Sequence, residues 1–157
     1  MTISQAQIET HLALLNETHI YFQRARDMLD DAGLARQPAP GEWSVVEVLA
    51  HLRASADVFG HTIYMCLMVD KSTVPYLHPN DWMAMQGYAA ISFDENWQIF
   101  RLNRHHLLRK LNTLTPDQWE RSCTIKTQVR TVYGEMRRMA LHEKGHYSQI
   151  EALYKAE

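Results

Sequence analysis

Apolar residues return every three or four positions along four long stretches of this chain, the period of helices that bury one face. The first stretch runs from about Ser4 to about Leu29 and places Ile8, Leu12, Leu15, His19, Phe22 and Leu29 on one stripe. Ser4 is its N-cap, with Gln7 three residues on as a capping-box partner. The second opens at Ser44-Val-Val-Glu47, another capping box, with Trp43 placed as a hydrophobic staple. Its inward positions include Val45, Val48, Leu49, Leu52, Phe59, Ile63 and Leu67, and His51 borders them. A third begins near Ser92-Phe-Asp-Glu95, a further capping box, and carries Phe93, Trp97, Phe100, Leu107 and Leu111. The last, from about Val132 to about Lys155, repeats Met136, Met139, His142, His146, Ile150 and Leu153.

The connections are longer than hairpin loops. Gly33 to Gly41, with Pro38 and Pro40, breaks the first helix. Between Lys71 and Ile91 the pattern weakens around Pro75, Pro79, Asn80 and Gly87, leaving a long connection with room for a short helix after Asn80. Long ordered loops in compact domains are often functional, so this one is a candidate to close over a site. Thr115-Pro116-Asp117-Gln118 caps a short helical turn, and the β-branched run from Cys123 to Val132 reads as extended. These features predict an all-α four-helix bundle forming a single domain over residues 1–157.

Two positions in the last stripe are wrong for a core. His142 and His146 are four residues apart, so both rings project from one helical face where aliphatic side chains are expected. A lone inward histidine usually hydrogen-bonds within the core. Two at this spacing instead suit one transition-metal ion, and His51, at the edge of another inward stripe, is the natural third ligand. Three protein ligands leave a coordination position open, the mark of a catalytic site.

Composition narrows the function. Apolar content of 46% with 22% charged residues fits a soluble globular protein, and a formal charge of −2 argues against general nucleic-acid binding. The cluster Arg101, Arg104, His105, His106, Arg109 and Lys110 reads mainly as a solvated helix face. Cys66 and Cys123 are too few and too far apart for a disulfide scaffold and fit reduced thiols. With no signal peptide and no apolar run of transmembrane length, the expected compartment is the cytoplasm, without membrane association.

The combination Trp43-Ser44-x-x-Glu47-Val48-Leu49-x-His51-Leu52 and, far downstream, His142-x-x-x-His146-x-x-Gln149-Ile150 resembles the DinB/YfiT-like superfamily, over the whole chain. That resemblance implies an up-down-down-up bundle and a divalent ion held by His51, His142 and His146; imidazole accepts zinc, nickel, copper, iron and manganese, of which zinc or nickel is expected. It also implies a homodimer. Relatives include bacillithiol-dependent S-transferases and a mycothiol-dependent isomerase, in which a glutamate replaces one histidine. With all three histidines kept, the chain stands nearer the transferase-like members. The implied activity is transfer of a low-molecular-weight thiol, as cosubstrate, to a small electrophile. A hydrolase using metal-bound water and a non-catalytic metal- or ligand-binding module are the alternatives, and no catalytic residue is assigned.

His142-Glu143-Lys144-Gly145-His146 also matches the H-E-x-x-H zinc-protease helix. Only eleven residues follow His146, and Gln149 and Ala152 stand where the extended motif needs Gly and His, so the peptidase reading is set aside. Glu143 then reads as a surface charge, or less readily as support for a ligand. Gln149 is placed either to orient a ligand or to bond a neighbouring helix. His19 and Arg104 fall in or near inward stripes and read as boundary residues with their polar tips in water, or less readily as residues lining a pocket. His11, His61, His78, His105 and His106 are expected on the surface or in loops.

Overall fold

The computed structural model describes residues 3–155. Four long helices, α1 (Gln5–Met28), α3 (Val45–Met68), α5 (Phe93–Leu111) and α7 (Val132–Lys155), form the bundle. Shorter elements fill the connections: α2 (Asp31–Ala35), β1 (Ser72–Thr73), α4 (Pro79–Gln86), a 3-10 turn (Tyr88–Ala90), α6 (Pro116–Glu120), β2 (Ser122–Ile125) and β3 (Gln128–Thr131). None of the described helices is long and apolar enough to cross a membrane.

Helix starts follow local chemistry. Ser4, Ser44 and Thr115 each close a reciprocal capping box, whereas at the box expected for Ser92 only half forms: its side chain accepts from the Glu95 amide, without the return bond to the Glu95 carboxylate. The segment after Leu29 is not wholly a break, because Asp30 caps the single turn of α2 by accepting from the Gly33 amide at 2.8 Å. The 71–91 connection is likewise more ordered than its pattern suggests. Ser72 pairs in parallel with Cys123 of β2, and α4 begins at Pro79 rather than after Asn80. The segment read as extended is an antiparallel hairpin, β2 to β3, running directly into α7.

Contacts between helices fix their directions. Along α1 and α7, Thr18 meets Glu143 and Tyr21 stacks on Tyr147, so these helices run parallel. His51 meets His142 while Phe59 meets Arg138, so α3 and α7 are antiparallel. Leu15 bonds Arg104 and Phe22 packs on Phe93, so α1 and α5 are antiparallel too. This is the up-down-down-up order. The second and third long helices, α3 and α5, therefore run the same way, and the chain needs the long 69–92 return between them.

Most of the core lies in two apolar layers, with a small third cluster of Ala50, Ala54 and Tyr88 on the outer side of α3. One gathers Ile8, Leu15, Phe59, Ile63, Leu107, Leu111, Met136 and Met139; the other holds Phe22, Leu34, Leu49, Leu52, Phe100, Ile150 and Tyr154. Polar side chains separate them, including the buried Thr18, Arg104 and Glu143. The hairpin also brings Cys123 against Cys66, free thiols with Sγ atoms 2.8 Å apart and no solvent exposure. Sequence separation therefore misjudged their proximity, because β1–β2 pairing spans the gap.

Candidate metal centre

His51 lies in the second turn of α3, and His142 and His146 lie one turn apart on α7. Side-by-side packing of these helices makes all three rings converge. Ring centroids are 5.0 Å apart for His51–His142, 5.2 Å for His51–His146 and 4.9 Å for His142–His146. One ligand-capable nitrogen from each lies within 4.8 Å of the others, the single such histidine, cysteine or carboxylate group among the described residues.

Two rings are oriented from outside. His51 Nδ1 lies 3.0 Å from Asn80 Oδ1, and His146 Nδ1 lies 2.7 Å from Gln149 Oε1. An amide oxygen only accepts, so in this orientation each Nδ1 donates its hydrogen and each Nε2 keeps a lone pair. Of the two readings of Gln149, orientation of a histidine is the one the geometry adopts. Asn80 comes from the long connection and was not legible as a partner. It is itself positioned by α4, whose N-cap His78 accepts from the Asn80 amide at 3.2 Å. Trp43 has its ring 4.8 Å from His51, while Phe59 stands 6.1 Å from His142.

The unpaired nitrogens test whether a cation fits. Nε2 of His51 and Nε2 of His142 are 3.1 Å apart. With the His51 lone pair facing inward, His142 must donate from Nε2, and its buried Nδ1 is then an acceptor with no donor among the described residues. In the other tautomer two lone pairs face each other. Neither arrangement satisfies the cluster, whereas a divalent ion would engage the inward lone pairs. Burial, and then the neighbouring histidines, push His51 down to about 4. Burial, then His146 and Arg138, push His142 down to about 4. Both rings are therefore neutral near pH 7, the form that binds metals. The residues fit a transition metal that accepts imidazole nitrogen.

Two expectations fail nearby. Glu143 is not a surface charge: it is fully buried, and its carboxylate receives Arg104 Nη2 at 2.5 Å and Nη1 at 2.8 Å. Thr18 donates to the same carboxylate at 2.6 Å, and Tyr147 donates to the Leu14 carbonyl beside it. Nor does the Arg104 tip reach water. It is 6% exposed and also bonds the Leu15 carbonyl, because the facing carboxylate and carbonyl replace its hydration. The i, i+1 rotation of about 100° turns Glu143 from the histidine face toward α1 and α5. It is therefore unavailable as the base that a protease helix requires.

The other assignments stand closer to expectation. His19 is half-buried at the boundary, and His61, His78, His105 and His106 are exposed. His11 is half-buried, its Nδ1 2.6 Å from the Gln7 carbonyl. Two clefts flank the cluster. One, about 440 Å³, is bordered by Trp43, Gln149 and Leu153. The other, about 80 Å³, lies beyond Phe59 and is bordered by Tyr76, Arg130, Glu135 and Arg138. A further groove of about 270 Å³, between α3 and α5, opens on the α3 face that carries Arg53, Asp57 and His61.

Solved structures share this architecture. YfiT from Bacillus subtilis, described as a probable metal-dependent hydrolase with an unusual four-helix bundle topology, superposes with a TM-score of 0.84 at 18% identity. The match covers 98% of this chain and 89% of that one. A mycothiol-dependent maleylpyruvate isomerase superposes with a TM-score of 0.70 at 13% identity, covering 91% of this chain and 60% of the isomerase. At these identities the likeness establishes fold alone. No curated protein sequence matches the chain. The DinB superfamily model matches residues 11–150, and with the up-down-down-up bundle beneath it, this chain belongs to the DinB superfamily.

Proposed function

We propose that His51, His142 and His146 hold a divalent metal, zinc or nickel, and that the protein uses it to transfer a low-molecular-weight thiol to a small electrophile. The carrying observation is the convergence of three imidazole nitrogens within 4.8 Å, with a buried nitrogen that has no hydrogen-bond partner among the described residues. When bound, the ion would supply positive charge that favours a thiolate at neutral pH.

The protein's own groups do the rest. Asn80 and Gln149 hold two rings in the tautomer that directs Nε2 inward. Trp43 and Phe59 limit water around the cluster and restrict where a substrate enters. The two carboxylates on the inner part of α7, Glu135 and Glu143, are buried and bound to arginines. Neither makes a hydrogen bond to the three histidines. That favours a nucleophile already acidic enough to ionise with the ion's help: a thiol has a pKa of about 8.5, far below that of water. Hydrolysis is the second reading, supported by the description of YfiT.

Elemental analysis of untagged protein tests the metal, with one ion per chain expected in the native protein and loss in His51→Ala, His142→Ala and His146→Ala. Full occupancy in all three variants would overturn the site. A panel of cellular thiols with a generic electrophile tests the reaction. Saturable thiol-dependent turnover supports transfer; ester or amide turnover without thiol shifts the reading to hydrolysis.

A further inference from the structure

Arg138 continues the histidine stripe of α7 one turn toward its N-terminus, at positions 138, 142 and 146. Four residues of helix rise about 6 Å, so its side chain emerges beside His142. Phe59 links them: its ring is 6.1 Å from the His142 ring and 5.1 Å from the Arg138 guanidinium carbon. The guanidinium donates through Nη1 to Glu135 at 2.8 Å, yet the Arg138 side chain remains 44% exposed.

Glu135 is itself 1% exposed and also faces Arg130 Nε at 3.6 Å. One buried carboxylate therefore stands against two guanidinium groups, leaving a surplus positive charge. Nε of Arg130 is buried without a hydrogen-bond partner among the described residues. Lys126 adds a further cation, with Nζ 3.9 Å from the centre of the Tyr76 ring on the same cleft wall. The cleft is small, about 80 Å³, which suits a carboxylate-bearing fragment and not a drug-sized molecule. Arginine's planar fork is suited to such a group, and Glu135 holds the fork in place.

We infer that this cleft is an anion subsite, in which Arg138, supported by Arg130, binds the carboxylate of a small substrate whose reacting end lies at the three histidines. The inference rests on the metal reading for the second half of that sentence only. The carboxylate belongs either to the thiol or to the electrophile, and both sources share the same recognition chemistry. Arg138 is a binding residue here, with no part in proton transfer.

The test has two arms. In isotopically labelled protein, with and without zinc, titration with propionate should shift the Arg138 side-chain Nε–H resonance saturably, while exposed Arg101 serves as the control. No saturable shift at Arg138, or an equal one at Arg101, would overturn the subsite whatever the metal does. In cobalt-substituted protein, mercaptopropionate and propanethiol should each produce a sulfur-to-metal charge-transfer band. If the thiol carries the anion, mercaptopropionate should bind about tenfold more tightly than propanethiol, a preference abolished in Arg138→Met and reduced in Arg138→Lys. If the electrophile carries it, the two thiols bind equally and propionate still shifts Arg138 in the thiol-bound protein. Absence of any band with either thiol counts against the metal–thiol reading, and the propionate titration then still decides the subsite.

Discussion

Helix α7 carries two polar clusters on adjoining faces, and they have opposite characters. Toward α1 and α5, Glu143 receives Arg104 twice and Thr18 once, and Tyr147 bonds a main-chain carbonyl. Burial pushes the Tyr147 hydroxyl up to about 12, so the phenol stays a donor. Opposite charges meet and the donors find acceptors. Toward α3, the inward nitrogens of His142 and His146 face a third imidazole and no carboxylate, and one buried nitrogen has no partner among the described residues. A satisfied network maintains the fold, whereas a convergent but unsatisfied one calls for a ligand. The neighbours Glu143 and His142 thus belong to different parts of the protein's physics, although a sequence motif joins them.

The sharpest break of this contrast is removal of a histidine. His51→Ala or His142→Ala should eliminate tight metal binding, a loss on the order of a hundredfold or more, while circular dichroism stays helical. Loss of helix along with metal would show the cluster to be structural. Glu143→Ala should do the reverse. It leaves the Arg104 guanidinium buried and uncompensated, at a cost of about 3–5 kcal/mol in urea unfolding, while the folded fraction still binds metal. A destabilisation under about 1 kcal/mol would show that water screens that pair.

Acid distinguishes the clusters without mutation. In the metal-free protein His51 and His142 have pKa values lowered from the usual 6.5 to about 4. Between these values the unfolded chain binds more protons than the folded one, so stability should fall as pH drops from about 6.5 to about 4 and level off with respect to these groups below that. His51→Gln/His142→Gln should flatten that part of a denaturation-against-pH curve; an unchanged slope would remove the histidines as its source. The smallest effect concerns Gln149→Ala, which should weaken metal binding by about 10–100-fold by freeing the His146 ring, with stability nearly unchanged. Equal affinity in a competition titration would make Gln149 a bystander.

Local chemistry carried well from the sequence. The Ser4, Ser44 and Thr115 boxes join residues three apart, so the helix starts are visible in the amino-acid order. Helical spacing likewise marked His142 and His146 as sharing a face. The misreadings were non-local. Gly33 looked like a breaker because the Asp30 cap is a weak signal beside two prolines. Asn80 lay in a stretch without periodicity, and its role depends on α4 packing against α3. Glu143 and Arg104 each looked solvated because each is charged, and only their encounter makes burial of both tolerable.

By itself, then, the sequence determined four amphipathic helices, their caps, and a pair of histidines misplaced in an apolar stripe. Periodicity and capping act over a few residues, so the order of amino acids contains them. Tertiary packing decided which glutamate is hidden, which amides orient the rings, and that Arg138 stands over a small cleft beside His142. Those outcomes depend on desolvation and charge pairing between distant segments. It is the antiparallel contact of α3 with α7 that turns three separate histidines into one site.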